Sequence, residues 1–207
     1  MDNVDSSSER LALAGFVAAS RANGPGVRIV VWVQGCSIGC PGCFNPGTHE
    51  VGSPDSSIGD VLARILAAVG PETNGVTFSG GEPFEQAEAL AVLAGAVRRA
   101  WPEGTLMAYS GYTLAHLQSE AAPPGSSALL GALDYLVDGP FEVRLPGQEP
   151  WQASANQQLR ILGRPLPGGV DPAAGGHVGE FHVLADGTVL LSGLPDPKLR
   201  SVIKTVQ

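Results

Sequence analysis

The chain has 207 residues, and its 12 basic and 20 acidic side chains give a formal net charge of −8. The length fits one domain with at most a small appendage, and a hydrophobic fraction of 43% is enough to build a core. The acidic balance argues against a nucleic-acid-binding protein, and no apolar run reaches the roughly 18–20 residues of a membrane-spanning helix. Residues 1–8 are polar and do not form a secretory signal, so we expect a cytoplasmic protein.

The order of the predicted elements indicates the fold class. Apolar, β-branched segments alternate with segments of helical periodicity, which predicts an α/β fold with parallel strands and right-handed crossovers. The length favours a partial (β/α) barrel over a complete eight-stranded one, which needs about 250 residues. In chain order we predict an edge strand at 11–18, a strand at 27–33, a helix at 58–69, a strand at 76–79, a helix at 85–100, a strand at 106–110, short helices at 113–118 and 128–132, and strands at 135–138 and 157–162.

The last part of the chain differs in composition. Residues 163–179 are rich in Gly, Pro and Ala and lack periodicity, which predicts a flexible loop. Beyond it, two apolar segments flank Asp186-Gly187, a pair typical of a β-hairpin turn. We therefore predict a barrel domain at 1–162 and, within the same domain, a loop and C-terminal β-hairpin extension at 163–207. This extension is expected to cover the mouth of the site or to dock a partner.

All three cysteines of the chain, Cys36, Cys40 and Cys43, lie within eight residues of one another. An odd, clustered set does not form a disulfide framework, and neighbouring thiolates repel one another unless a cation neutralises them. This pattern indicates a metal site. The glycines in the loop let the backbone wrap closely around a compact group. A [4Fe–4S] cluster normally takes four cysteines, so three would leave one iron open to bind and act on a small molecule.

Two other interpretations of the cysteines remain open. Zinc takes three cysteines and a histidine in some structural sites, and His49 is the histidine nearest to the cysteines in the sequence. The protein would then be a zinc-binding interaction module without catalytic activity. The cysteines can also be a chance cluster of structural residues, although buried inert cysteines have no reason to gather.

Polar segments follow the predicted parallel strands at their carboxyl ends, where α/β proteins bind ligands. The cysteine loop follows the first such strand, and the later strands are followed by Gly80, Gly81 and Glu82, by Ser110 and by Asp138. We expect these segments to meet at one edge of the sheet. The two glycines allow close backbone approach to a ligand, and Glu82 suits an ammonium group. Each residue also has an ordinary explanation, since Glu82 can begin a helix, Ser110 can cap one and Asp138 can be a loop acid.

Taken together, these segments resemble the radical S-adenosylmethionine superfamily, and within it the activating proteins of anaerobic ribonucleotide reductase. The resemblance extends over residues 11–162 in family order. The matching segments are NGPGVR at 23–28, QGCSIGCPGCFN at 34–45, FSGGEP at 78–83, YSGYT at 109–113, LVDGPF at 136–141 and SANQ at 154–157.

The resemblance implies that Cys36, Cys40 and Cys43 bind three irons of one [4Fe–4S] cluster. It implies that the fourth iron binds the amino and carboxylate groups of S-adenosyl-L-methionine. Reductive cleavage of that cosubstrate gives methionine and a 5′-deoxyadenosyl radical, which takes a hydrogen atom from a glycine of a partner protein. The resemblance also implies an electron donor such as flavodoxin or ferredoxin. It implies no catalytic residue beyond the cofactors.

The resemblance also implies which residues bind S-adenosyl-L-methionine. Gly80, Gly81 and Glu82 would hold its amino end, and Ser110 and Asp138 are candidates for contacts with the rest of the molecule.

The sequence departs from the family pattern at three places. Asn23 stands where activating enzymes usually have aspartate, and the tail after residue 162 is longer than a minimal activator needs. Gly42 stands before the third cysteine, where many superfamily members have an aromatic residue, although the reductase activators tolerate glycine there. These departures leave room for another substrate, such as a peptide or a small metabolite. The chain has no further cysteines for a second cluster, which argues against relatives that use several clusters to mature peptides.

Overall fold

The computed structural model describes residues 10–147, 149, 151–165, 179–183, 187 and 189–193. Most of the loop predicted at 163–179, and Asp186 of the predicted hairpin turn, lie outside these residues. The strands are β1 (Arg10–Leu11), β2 (Leu13–Ser20), β3 (Val27–Val33), β4 (Ser56–Ser57), β5 (Thr73–Gly80), β6 (Thr105–Ser110), β7 (Tyr135–Asp138), β8 (Gln158–Ile161), β9 (Gly179–Val183) and β10 (Val189–Gly193).

The helices lie mainly between the strands of the first two thirds of the chain. None of the helices in the described ranges combines the length and the apolar character that crossing a bilayer requires. The helices are α1 (Ile58–Ala68), α2 (Ala87–Ala100), α3 (Leu114–Leu117) and α4 (Ser126–Ala132), with short 3₁₀ turns at Pro46–Thr48 and Pro83–Gln86.

Six strands form the central sheet, in the order β2-β3-β5-β6-β7-β8. The prediction of parallel strands is confirmed for β3, β5, β6 and β7. The two edge strands, β2 and β8, are antiparallel to their neighbours, so the prediction of parallel strands is wrong at both edges of the sheet. A short turn joins β2 to β3, and the described chain between β7 and β8 contains no helix, so neither connection provides the crossover that parallel strands need. The partial barrel stays a prediction, because the order of the strands does not define how strongly the sheet curves.

The two faces of the sheet are covered by different elements. Every residue of β3 is buried. Because side chains alternate along a strand, Val31 and Val33 join the cluster that contains the apolar residues of α1 and α2, whereas Val30 and Trp32 face the other side. On that other side Leu190 of β10 packs against them. The predicted C-terminal hairpin is therefore present, with β9 and β10 paired antiparallel, and it lies on the sheet face opposite α1 and α2.

A buried guanidinium joins the first strands of the sheet. The side chain of Arg28 is 0% exposed, and burial lowers its pKa to about 10, so it remains charged at neutral pH. In the described part of the chain, its hydrogen-bond acceptors are neutral oxygens. Arg28 donates to Pro25 O (3.3 Å), Val76 O (2.7 Å), Thr77 Oγ1 (2.6 Å), Thr105 O (3.1 Å) and Thr105 Oγ1 (3.0 Å). These bonds compensate for the loss of hydration that a buried charge suffers.

The turn between β2 and β3 is held against β5. The hydroxyl of Thr77 donates to Asn23 O at 2.8 Å while it accepts from Arg28 Nε. This single hydroxyl therefore connects the turn, β3 and the middle of β5.

Substituting the buried guanidinium should destabilise the sheet. Arg28→Lys is expected to lower the free energy of unfolding by about 2–4 kcal/mol, because lysine has fewer donors for the same buried acceptors. Urea unfolding of the metal-free protein measures the difference. Arg99→Lys, at an exposed position near the end of α2, is the control and should change stability by less than about 0.5 kcal/mol. Equal stabilities of the two variants would contradict the role given to Arg28.

Candidate functional site

The cysteine loop begins directly after β3. Cys36 N donates to His49 O at 3.2 Å, which ties the start of the loop to its return segment. Gly35, Gly39 and Gly42 have φ angles of 105°, 57° and 75°, a region that residues with a Cβ rarely adopt. The backbone can therefore curve tightly between the cysteines. The side chains of all three cysteines are half-buried.

Backbone amides approach two of the sulfur atoms. The amides of Ile38 and Gly39 hydrogen-bond to Cys36, and Asn45 N donates to Cys43 Sγ at 3.4 Å. Burial raises the pKa of the Cys36 thiol, and the two amides act in the opposite direction. Amide donors favour the thiolate, the form that binds iron or zinc. Hydrogen bonds to cysteine sulfur also tune iron–sulfur clusters, so the loop fits a thiolate-bound metal group.

The end of β5 is packed against the start of the cysteine loop through backbone atoms. Gly81 N donates to Val33 O at 2.8 Å, and Glu82 N donates to Gly35 O at 2.8 Å. A Cβ on Gly80 would lie 2.7 Å from backbone atoms of Val33, and one on Gly81 would overlap the Gly35 carbonyl. The two glycines are thus required by contact with the polypeptide itself. The approach of a ligand to these glycines, which the sequence predicts, stays a prediction.

Glu82 is buried, with 1% of its surface exposed. Its carboxylate accepts hydrogen bonds from Phe84 N (2.9 Å), from Ser110 Oγ (2.9 Å) and from Gly111 N (2.8 Å). Burial raises the pKa of Glu82 to about 7, and the three donors moderate this effect. The carboxylate therefore joins the ends of β5 and β6.

One cavity brings most of the predicted site residues together. Its apolar lining includes Trp32, Ile38, Phe44 and Phe141, with the two phenylalanine rings in an edge-to-face contact at 5.0 Å between centroids. The predicted residues that line the cavity are Cys36, Cys40, Cys43, Gly80, Gly81, Glu82 and Ser110. The parallel strands thus carry these segments to the same place, as expected from their carboxyl ends.

Asp138 is placed differently. It is buried and is not among the residues that line the cavity. Its carboxylate accepts from Leu114 N at 2.8 Å and forms an ion pair with Arg160 Nε at 2.8 Å. These contacts tie β7 to the start of α3 and to β8. Its contact with a cofactor stays a prediction.

His49, the fourth residue of the zinc hypothesis, lines the same cavity as the cysteines. Its Nε2 is buried and has no hydrogen-bond partner among the residues that the structure describes. Within the described ranges, no group of three or more His, Cys, Asp and Glu side chains is arranged to hold a metal ion. A four-iron cluster differs from one ion in that its thiolate ligands surround a larger body instead of converging on a point.

Several lining residues were not assigned from the sequence. Leu191, Ser192 and Gly193 line the cavity from the C-terminal hairpin. The hairpin itself was predicted from its turn signal, but no spacing pattern reports that Ser192 contacts Asn23, 169 residues earlier. Phe141 follows directly on the Asp138-Gly-Pro segment, and that adjacency was the available signal for it.

The raised pKa of Glu82 gives the metal-free protein a pH-dependent stability. The folded state holds the proton up to a pH of about 7, above the ordinary value of 4.5, so stability is expected to fall as the pH rises between these values. The total change is on the order of 3 kcal/mol. Urea unfolding at pH 5 and pH 8 measures it, with Glu82→Gln as the non-titrating reference. The same pH dependence in both proteins would show that Glu82 is not the group responsible.

Comparison with known proteins identifies the family. Residues 22–160 match the family model described as a 4Fe-4S single cluster domain. The anaerobic ribonucleoside-triphosphate reductase-activating protein of Vibrio cholerae serotype O1 is 36% identical over 144 residues, which cover 66% of this chain and 89% of that protein. Proteins of the same name from Escherichia coli (strain K12) and Enterobacteria phage T4 are 29% and 27% identical, over 68% and 66% of this chain and 92% and 85% of their own lengths. Within this chain, residues 22–160 form the 4Fe-4S single cluster domain. The chain therefore belongs to the family of anaerobic ribonucleoside-triphosphate reductase-activating proteins.

Proposed function

We propose that this protein is a radical S-adenosyl-L-methionine enzyme that uses one [4Fe–4S] cluster to generate a glycyl radical on an anaerobic ribonucleotide reductase. One observation carries the proposal. The three cysteines line a single cavity together with Gly80, Gly81, Glu82 and Ser110. A metal group bound by the thiols would be next to polar groups that suit the amino end of an amino acid. The names of the relatives, which are reductase-activating proteins, support the choice of partner.

The donor set fits the proposed cluster. Cys36, Cys40 and Cys43 would bind it, since backbone amides donate to the sulfur atoms of Cys36 and Cys43 and no fourth cysteine exists in the chain. When bound, such a cluster supplies the electron that splits S-adenosyl-L-methionine into methionine and a 5′-deoxyadenosyl radical, and this radical takes a hydrogen atom from the partner's glycine. A flavodoxin or ferredoxin donor and a cytoplasmic location belong to the same proposal, since the cytosol keeps thiols reduced.

The other site residues bind and orient the cosubstrate in this proposal. Backbone groups of Gly80 and Gly81 and the carboxylate of Glu82 hold the amino end. Ser110, whose hydroxyl donates to Glu82, contacts the rest of the molecule. The proposed contact of Asp138 needs a ligand to approach a carboxylate that already binds two protein groups, so we expect it to act through the position of the loop after β7.

Apolar side chains complete the cavity. Trp32, Ile38, Phe44 and Phe141 line it beside the cysteine loop. A radical reacts with water-borne oxidants and with nearby C–H bonds, so a lining that excludes solvent keeps it for the intended substrate.

A different substrate, such as a peptide or a small metabolite, is the second candidate. The observation that favours it is that hairpin residues 191–193, which lie outside the part matched to the family model, also line the cavity. The assay with the reductase described below decides between the two candidates.

Loss of one thiol should abolish cluster binding. Cys40→Ala is expected to retain little iron after anaerobic reconstitution, whereas the unmodified protein should contain about four irons and four sulfides per chain. Metal and sulfide analysis measures this. Ser37→Ala is the matched control, since Ser37 is an exposed residue of the same loop and has no thiol. A colourless unmodified protein with one zinc per chain would support the zinc-binding module and contradict the proposal.

The reaction itself should be visible with the reductase. We expect the reduced protein, S-adenosyl-L-methionine and an anaerobic ribonucleotide reductase to give 5′-deoxyadenosine and a glycyl radical signal in electron paramagnetic resonance. Glu82→Ala should retain its iron and raise the KM for S-adenosyl-L-methionine by about tenfold, the loss of roughly one charge-assisted hydrogen bond. 5′-Deoxyadenosine without a glycyl radical would favour the second candidate. Neither product, from a protein that holds the full cluster, would contradict both.

A further inference from the structure

A carboxylate that has no role in the site described above attaches the cysteine loop to the segment after β5. Glu85, in the 3₁₀ turn at Pro83–Gln86, accepts hydrogen bonds from the amide and from the hydroxyl of Ser37. Its Oε1 lies 2.9 Å from Ser37 N and 2.5 Å from Ser37 Oγ, and its Oε2 lies 3.1 Å from Ser37 N. Because Ser37 follows Cys36 directly, Glu85 holds the peptide group that joins the first cysteine to the rest of the loop.

The backbone around Cys36 is thereby fixed on both sides. Cys36 N donates to His49 O at 3.2 Å, and the next amide, Ser37 N, donates to Glu85. The two amides after that, of Ile38 and Gly39, hydrogen-bond to Cys36. Their direction depends on the conformation of the turn that begins at Ser37. The contact with Glu85 therefore helps to aim the amides that favour a thiolate at this cysteine.

The same carboxylate brings a negative charge close to the first cysteine. Burial raises the pKa of the Cys36 thiol, and the charges of Glu82 and Glu85 act in the same direction. A charge that disfavours a thiolate also disfavours an additional electron on a metal group bound by that thiolate, because both changes add negative charge. Glu85 is exposed and is not among the residues that line the cavity, so it lies apart from the groups assigned to the cosubstrate.

We propose that Glu85 is a positioning residue for the iron–sulfur cluster, which holds the turn at 36–39 through Ser37 and lowers the reduction potential of the cluster through its charge. The inference rests on the proposed function and extends it to the control of the electron that starts the reaction. Net charge and hydrogen bonds to the sulfur atoms are two of the quantities that set the potential of such clusters. The two roles are separable, because the hydrogen bonds need only a carbonyl oxygen, whereas the effect on the potential needs the charge.

The test compares three variants with the unmodified, cluster-loaded protein. Glu85→Ala removes the hydrogen bonds and the charge, whereas Glu85→Gln keeps one carbonyl oxygen for Ser37 and removes only the charge. Glu103→Gln is the matched control for net charge, since Glu103 is exposed between α2 and β6, at the opposite end of the parallel strands. The measured quantities are the iron content after anaerobic reconstitution, the rate at which a chelator removes the iron, and the reduction potential of the cluster.

The rate of iron loss reports the positioning role. Glu85→Ala is expected to lose iron to the chelator about tenfold faster than the unmodified protein, the effect of losing about one net hydrogen bond in the loop. Glu85→Gln should lose it less than about twofold faster, because its carbonyl oxygen still accepts from Ser37. A Glu85→Ala protein that takes up little iron, beside a Glu85→Gln protein with the full amount, supports the positioning role as well. Glu103→Gln should match the unmodified protein.

The reduction potential reports the role of the charge. Glu85→Gln is expected to favour the reduced cluster about threefold, which corresponds to a rise of roughly 30 mV for one electron. The rise should become smaller in about 1 M salt, because salt screens an exposed charge. Glu103→Gln should leave the potential unchanged.

Two results would overturn the inference while leaving the proposed function intact. One is a Glu85→Ala protein that loses iron at the same rate as the unmodified protein. The other is a Glu85→Gln protein with an unchanged potential at low salt. If the unmodified protein binds no four-iron cluster, the proposed function fails first, and the two failures are thereby distinguishable.

Discussion

The site depends on a backbone contact between two loops that follow neighbouring parallel strands. Gly35, at the start of the cysteine loop, accepts a hydrogen bond from Glu82 N through its carbonyl oxygen, and Gly81 fits beneath it only because it has no Cβ. The position of the thiols relative to the Glu82 carboxylate is therefore set by main-chain atoms, which are less mobile than side chains. Sites built on such rigid elements hold their ligands with greater precision than sites built on free loops.

The same packing explains why a carboxylate is buried so close to the thiols. Glu82 receives three hydrogen bonds from groups on two segments, so it organises the end of β6 as well as the end of β5. Its raised pKa shows that burial outweighs these donors when no cation is nearby. A bound ammonium group would reverse that balance. The free-energy cost of burying Glu82 in the free protein would thus be recovered on binding of the ligand that we propose.

Much of this could be predicted from the sequence. The cysteine loop, the buried strand before it and the cap of α1, where Ser57 accepts from Asp60 N, all have local signals, and each is present in the structure. The antiparallel direction of β8 was not predicted, because it depends on the path of the loop from β7 and not on the composition of the strand. The hydrogen-bond partners of Asp138 were not predicted for a related reason. Leu114 and Arg160 are distant in sequence and are brought to it by the sheet.

A single hydroxyl in the middle of β5 has a consequence for the far edge of the cavity. Thr77 accepts from Arg28 and donates to Asn23 O, and Asn23 in turn holds Ser192. A small shift in the sheet at Thr77 would thus move the hairpin through two successive hydrogen bonds, without substitution of a residue that lines the cavity. The shape of the cavity wall in this protein accordingly depends on the interior of the sheet as well as on the residues that line the cavity.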